Sequence, residues 1–326
     1  MTTAAVRALR TRFPHARIDM IVRADFLDLI RFNPNITHAW GLERGAGWRG
    51  LKRLVREINT VEYDLIYDAH RSLRTRLMMP FLRAKQKAYF QKHYVRRALA
   101  LTFKLPLLDS RRFLDRFMDP LMHLGVARDE RGPEMFVDAA SEAAALAKAG
   151  MVADGVPRIG LIPSAQWPGK RWPAEKFARA AQLLAQHTDY HFIVFGGKED
   201  LFCEGIAQAL PPDRVVNTQG RLTILESSAL LRHCKFVIAN DTGLMHVADA
   251  LQIPSVLIFG PTSAELGCLP HHPLTRVVEH KLWCRPCSKN GQAPCIRQKR
   301  WCLEKTESEH VYEEALRLHQ ALLKTA

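Results

Sequence analysis

The run Ala239-Asn240-Asp241-Thr242-Gly243-Leu244-Met245-His246-Val247-Ala248 places a carboxylate, a hydroxyl, a glycine and an imidazole at one strand-to-helix turn. Lys235 to Ala239 is apolar enough for a buried strand, and Leu244, Val247, Ala248 and Leu251 follow the i, i+3, i+4, i+7 spacing of an amphipathic helix. The pattern predicts Asp241 as the helix N-cap. Thr242 and His246, one turn apart, then share a face. Gly243 leaves room for a ligand at the helix N-terminus, where unpaired amides and the positive dipole end favour phosphate. A second strand, Ile253 to Phe259, ends in Gly260-Pro261-Thr262, a turn able to open on the same crevice. A well-capped helix carrying a surface histidine is the plainer alternative, because this is not the glycine-rich dinucleotide fingerprint.

A second constellation lies near the C-terminus. Cys284, Cys287, Cys295 and Cys302 form C-x2-C-x7-C-x6-C, four thiols able to hold one tetrahedral ion such as a structural zinc. The loop is too polar to fold around a core of its own, and Lys281, Arg285, Lys289, Arg297, Lys299 and Arg300 around it could face an anionic acceptor. Reduced cysteines packed one by one are the alternative, since the spacing differs from the common short-knuckle pairs. Seven cysteines, an odd number, fit a reducing compartment better than a disulfide framework.

The formal charge of +14 calls for an anionic partner. From Ala69 to Leu108 there is no acidic residue, while Arg71, Arg74, Arg76, Arg83, Lys85, Lys87, Lys92, Arg96, Arg97 and Lys104 are all basic. Nucleic acid, anionic lipid headgroups or a phosphorylated sugar would each be attracted. Phe81, Tyr89, Phe90, Tyr94 and Phe103 could stack, touch a membrane surface or fill a core. A solvated basic helix face is the bland reading, and no recognised nucleic-acid motif accompanies the stretch, so nucleic acid is not the expected partner.

These groups must be positioned by more than one core, because 326 residues exceed the usual size of one and 47% hydrophobic residues suffice for two. Strands alternate with helices, which predicts an α/β fold of doubly wound parallel sheets. Val6, Leu9 and Phe13 mark a helix, Ile18 to Val22 and Leu65 to Tyr67 mark strands, and the basic stretch reads as helices. The Ala-rich, polar segment from Asp138 to Gly155 predicts a domain boundary, with an N-terminal domain over 1–145 and a C-terminal domain over 155–326. Beyond it come a strand Ile159 to Ile162 and a helix opening at Pro173 with Phe177, Ala180, Ala181 and Leu184 on one face. A strand His191 to Phe195, a Thr223-Glu226 capping box and a last helix marked by Val311, Ala315, Leu318 and Leu322 follow. No apolar run approaches the roughly 20 residues that cross a bilayer, and no secretory signal is visible. The expected location is the cytoplasm, extending to peripheral contact with the inner-membrane face.

Asp241 to His246, followed by Ala250-Leu251, Pro254 and Phe259-Gly260-Pro261-Thr262, resembles the signature of the ADP-heptose:lipopolysaccharide heptosyltransferases, glycosyltransferase family 9. Upstream, Pro163-Ser164-Ala165 and Lys170-Arg171-Trp172-Pro173 are similar to that family's donor-diphosphate segment. Tyr63 to Asp68 with Arg71 and Arg74 is similar to its N-terminal strand and basic loop. The resemblance covers nearly the whole chain. It implies a GT-B fold, two Rossmann-like domains facing a cleft, with a nucleotide-sugar donor on the C-terminal domain and a lipopolysaccharide-core acceptor on the N-terminal one. It further implies that Ser164 and Lys170 hold the diphosphate with Thr242 and Gly243, that Glu199 or its neighbour Asp200 accepts from the ribose, and that Leu222 packs near the adenine. His246 and Asp241 join the donor site, and Arg71 and Arg74 the acceptor site. Ser164, Glu199 and Asp241 each follow a predicted strand, as ligand-binding residues in open parallel sheets do. Lys170 offers a compact positive charge for the departing diphosphate, the part a metal plays in other transferases.

One element of the resemblance is missing. The family begins with a strand and a Gly-Asp turn whose aspartate is the presumed general base, whereas this sequence opens inside the following helix at Thr2-Thr3-Ala4-Ala5-Val6. The N-terminal domain is therefore expected to lack its first strand and leave sheet edges unpaired. An upstream start, an impaired product, or Asp25 or Asp68 standing in as the base would each account for this.

The resulting expectation is an inverting heptosyltransferase acting from ADP-heptose on the lipopolysaccharide inner core, with no cofactor required for catalysis. A related transferase with another sugar, a zinc-stabilised nucleic-acid-binding protein and a catalytically silent sugar-nucleotide-binding homologue are the alternatives. The transferase reading requires Lys170 and the Asp241 turn to meet.

Overall fold

A computed structural model describes residues 1–325. The chain divides into two compact units, the first formed by Met1–Tyr94 with Arg111–Phe136, the second by Val95–Ser110 with the chain from Val137 onward. Among the described residues the strands are β1 (Asp19–Arg23), β2 (His38–Leu42), β3 (Tyr63–Asp68), β4 (Ala84–Tyr89), β5 (Arg158–Ile162), β6 (His191–Val194), β7 (Val215–Asn217), β8 (Cys234–Asn240), β9 (Ser255–Ile258) and β10 (Arg276–Val278). All pair in parallel, with helices between most of them, so the α/β class read from the sequence holds.

In the first unit β1 pairs with β2 and β3 with β4, as two separate two-stranded sheets among the described residues. The helix Thr3–Arg12 buries Ala5 and Ala8 against Met118, Leu121 and Val126, with Leu65 and Tyr67 of β3 alongside. Arg7, only 5% exposed, forks onto Asp129 and Glu134 and fixes this helix to the end of the unit. The helix Gly47–Ile58 places Leu51, Leu54 and Ile58 on Met78, Met79 and Leu82.

The basic stretch, expected to be helical throughout, instead contains β4 between the helices Leu73–Met78 and Tyr94–Phe103. In Ala84-Lys85-Gln86-Lys87-Ala88-Tyr89 only Ala88 is buried, so no apolar alternation announces the strand. Its lysines are held by neighbours: Lys85 pairs with Asp64 at 2.7 Å, and Lys87 donates to the Met79 carbonyl at 2.7 Å. Phe90 is core, 2% exposed beside Phe117.

The second unit is a six-stranded parallel sheet in the order β10-β9-β8-β5-β6-β7. Fully buried Ile159, Leu161, Phe236, Ile238, Val256 and Ile258 form its centre, because a parallel sheet covered on both faces needs apolar residues throughout. The helix Ala174–His187 buries Phe177, Ala180, Ala181 and Leu184, and the helix Ser308–Thr325 buries Val311, Ala315 and Leu318, as their spacing predicts. The Thr223-Glu226 capping box is present, with both reciprocal hydrogen bonds made, at 2.8 and 3.2 Å. From β5 the chain winds outward through β6 and β7, then returns to β8 on the other flank and continues through β9 to β10. The winding direction reverses between β5 and β8, and ligands of such sheets bind beyond the carboxyl ends of the strands at this point.

Candidate functional site

At that reversal the turns after β5, β8 and β9 converge on one carboxylate. Pro168–Lys170 forms a single helical turn, and Lys170 Nζ donates to Asp241 Oδ2 at 2.6 Å. Thr262, fully buried after β9, donates its hydroxyl to the same oxygen at 2.7 Å. Asp241 is 4% exposed and Lys170 13%. The ion pair is thus shielded enough to be worth more than a surface bridge, and the ammonium keeps two further N–H groups for an incoming anion.

Asp241 is therefore not the helix N-cap that the sequence pattern predicts. Thr242 takes that place with extended backbone and no side-chain capping bond, ahead of the helix Gly243–Ala250. The carboxylate turns instead to the cation, because a buried charge needs a partner more than the first helical turn needs a cap. The first-turn amides stay available, and a methyl group added at Gly243 would meet nothing within 4 Å. His246 follows one turn on, its Nε2 3.9 Å from Asp241 Oδ1. Burial outweighs that carboxylate and pulls the His246 pKa down to about 4, so the ring is neutral near pH 7 and can both donate and accept.

Asn240 went unremarked in the sequence and holds this arrangement together. Its side chain, fully buried, donates to the Pro163 carbonyl at 2.6 Å and accepts from the Trp172 amide at 3.1 Å. The segments on either side of Lys170 are thereby fixed to the end of β8, and Ser164 lies next to one of the anchored residues. Ser164 Oγ stands 4.0 Å from the Cys203 thiol, which burial pushes up to about 11. A polar residue closing the apolar run Phe236 to Ala239 was the available signal.

Glu199, Asp200 and Leu222 are the residues that the resemblance assigns to the nucleoside. Asp200 is 9% exposed, pairs with Arg171 at 3.1 Å and accepts from the Gly197 amide at 2.8 Å, so it is committed to the loop itself. Glu199 beside it is exposed. The Gly220 amide donates to the Gly196 carbonyl at 2.9 Å, which brings the turn carrying Leu222 to the same loop.

Cys284, Cys287, Cys295 and Cys302 all line one cavity of about 280 Å³ in the second unit. Burial raises the Cys287 and Cys302 thiols, Cys302 to about 11, and neighbouring thiols add to each shift. Among the described residues no three ligating side chains stand close enough together to hold a metal ion as placed. Arg285, one of the cations that could have faced an anionic acceptor, is internal: its Nε donates to the Gly260 carbonyl at 2.6 Å and its Nη2 to the Thr262 carbonyl at 2.7 Å. Arg300 likewise donates to the Pro168 carbonyl at 2.6 Å. Arg285 thus braces the turn after β9 from inside, while Arg300 reaches the Pro168 turn from an exposed position.

In the first unit, Asp68 ends β3 at 6% exposure. Its Oδ1 accepts from the amides of His70 and Arg71 at 3.0 and 2.7 Å, while Oδ2 has no hydrogen-bond partner among the described residues. This bracing holds Arg71 at a φ of +44°, with its guanidinium 5.7 Å from the Tyr89 ring centre. Arg74 lies exposed on the helix Leu73–Met78, and Asp25 is spanned by Arg23 at 2.9 Å.

The family model for glycosyltransferase family 9 (heptosyltransferase) matches residues 51–296. Lipopolysaccharide heptosyltransferase 2 of Salmonella typhimurium is 26% identical over 289 residues, 81% of this chain and 80% of that one. Lipooligosaccharide heptosyltransferase 2 of Haemophilus influenzae is 38% identical over 114 residues, a stretch that spans 33% of either protein. Among solved structures, the ADP-heptose lipopolysaccharide heptosyltransferase II of E. coli superposes with a TM-score of 0.70 at 22% identity, covering 99% of this chain and 95% of that one.

Proposed function

Since the chain belongs to glycosyltransferase family 9, the heptosyltransferase family, we propose that it transfers a heptose from ADP-heptose to a sugar of the lipopolysaccharide inner core. The acceptor hydroxyl attacks the anomeric carbon opposite the leaving group. As the new C–O bond forms, the bond to the diphosphate breaks, configuration inverts, and a carboxylate takes the hydroxyl proton. Lys170, with the first-turn amides after Thr242 and the neutral His246, stabilises the charge that gathers on departing ADP, so this step needs no metal. Ser164 holds the diphosphate, Glu199 the ribose and Leu222 the adenine. Arg71 and Arg74 receive the anionic acceptor.

The carrying observation is the Lys170–Asp241 pair at the point where the sheet reverses. Leu73, Leu77 and Phe81, respectively 75%, 44% and 58% exposed beside Arg74 and Arg76, suit contact with an anionic lipid surface, where the acceptor would be met. A thermal-shift screen of nucleotide-sugars, followed by turnover on a deacylated core acceptor, tests the reading. ADP and ADP-heptose should raise the melting temperature of the wild type and raise it less in Lys170→Ala. Equal stabilisation of both proteins, or none of either, rejects it.

A further inference from the structure

We propose that the segment from Cys284 to Cys302 binds one thiophilic divalent cation, zinc or ferrous iron, through its four thiolates, and that loading seats the Lys170 turn. Between Val278, where β10 ends, and the short helix Trp301–Glu304 the chain forms neither helix nor strand. A structureless run of this length inside a compact unit is unusual unless something other than packing orders it. All four cysteines line a single cavity, so a modest contraction of the loop would bring to one ion the thiols that do not yet converge among the described residues. Packing explains only part of the set, because Cys284 and Cys302 are buried whereas Cys295 is exposed, its thiol donating to the Lys299 carbonyl at 3.3 Å.

Sulfur donors select zinc or iron over magnesium and calcium, and four protein ligands close the coordination sphere, which makes such an ion structural rather than catalytic. Binding releases four protons and needs no oxidant. The resulting dianionic centre is offset by Arg285, 5% exposed within the loop, and by Lys104, whose ammonium donates to the Pro286 carbonyl at 2.9 Å. Metal–sulfur distances of about 2.3 Å require the loop to draw in around the cation.

A contraction of the loop would reach Lys170. Gly291 lies between the second and third cysteines, and a methyl group there would stand 2.7 Å from Lys170 Cγ. A methyl group on Gly169 would stand 2.5 Å from the Gly291 carbonyl oxygen, so the two glycines allow backbone to lie on backbone behind the lysine. The Cys287 amide donates to the Pro261 carbonyl at 3.0 Å, tying the same loop to the Thr262 turn. The seating half rests on the donor-site reading given above.

The test uses the full chain purified without added metal. Elemental analysis should find about one zinc or iron per chain, identify which, and find it lost in Cys284→Ser and in Cys295→Ser. Should either variant fail to fold, cobalt titration of stripped wild type replaces it and should show thiolate-to-cobalt absorption saturating at one equivalent. Metal below about a tenth of an equivalent, with no cobalt band, overturns the site. Stripping should weaken ADP binding on the order of tenfold, recovered on reloading. Unchanged ADP affinity overturns the seating. ADP failing to bind even the loaded protein would instead overturn the donor-site reading and leave the metal site standing.

Discussion

Lys170 Nζ and Asp241 Oδ2 lie 2.6 Å apart although 71 residues separate them in sequence, and Thr262 donates to the same oxygen. One carboxylate oxygen thus links the turns that follow three adjacent strands, β5, β8 and β9. The cation that would face a diphosphate is held by a group that is itself out of water, and its position is therefore fixed before any ligand arrives.

Lys170→Ala should do two separable things. It strips a buried carboxylate of its counter-charge, a loss of about 2–3 kcal/mol given that the lysine retains some exposure. It also removes leaving-group stabilisation, lowering kcat by roughly 10²–10³. The double variant Lys170→Met with Asp241→Asn should recover most of the stability in urea denaturation but none of the transfer. A double variant that turned over, or one no more stable than the single, would show that the pair is not the link between fold and chemistry.

Asn240 gives a purely architectural counterpart. Asn240→Leu keeps the branched heavy-atom skeleton, though not the volume, and leaves the Pro163 carbonyl and the Trp172 amide unpaired in the interior, a cost of about 2–4 kcal/mol. Thr262→Val removes one neutral donor from an acceptor that keeps its lysine, and should cost about 1 kcal/mol. Chemical denaturation of both checks the order, and a costlier Thr262 substitution would reverse this ranking.

What the sequence revealed and what it hid divide by range. The strand before Asp241, the apolar face of Phe177, Ala180, Ala181 and Leu184, and the Thr223-Glu226 capping box depend on neighbours within a few residues, so their pattern was readable. Strand β4 was not, because a two-stranded edge rich in lysine carries no alternation. That Lys170 meets the Asp241 turn was required by the family resemblance, but their direct ion pair was hidden because local spacing offered Asp241 a plausible role as N-cap. Arg285 was counted among the cations open to an acceptor because an arginine in a polar loop has no sequence mark that its fork ends on backbone carbonyls.

Glu199 and Asp200, adjacent acids, should separate cleanly. Asp200→Asn weakens the Arg171 pair and the bond from the Gly197 amide, so it should lower stability by about 1–2 kcal/mol and disturb nucleotide binding only through the loop. Glu199→Gln, at an exposed position, should leave the melting temperature alone and raise KM for the nucleotide-sugar several-fold, on the order of 1 kcal/mol for a lost bond to a charged acceptor. Isothermal titration with ADP and with a ribose-modified analogue distinguishes them. If Glu199→Gln bound ADP normally while Asp200→Asn kept its stability, the roles would be exchanged.

Stability should fall on mild acidification, with His246 as a main contributor. Its folded pKa, about 4, lies below the usual value of 6.5 because burial disfavours the imidazolium. Between those two values the unfolded chain takes up a proton that the folded one refuses, so the slope of unfolding free energy against pH is positive there. Stability is accordingly full above about pH 6.5, declines as the pH drops toward 4 and levels off below it. The whole shift corresponds to roughly 3 kcal/mol, but 22% of the side chain remains exposed and solvent screening brings the expected loss nearer to about 2 kcal/mol. Burial lowers His272 as well, in the same direction, so His246→Gln should flatten the profile between pH 4 and 6.5 without abolishing its slope. Urea denaturation at half-unit pH steps measures this. An unaltered slope in His246→Gln would mean that the ring is protonated in the folded protein at pH 5, and its neutral donor-site role would go with it.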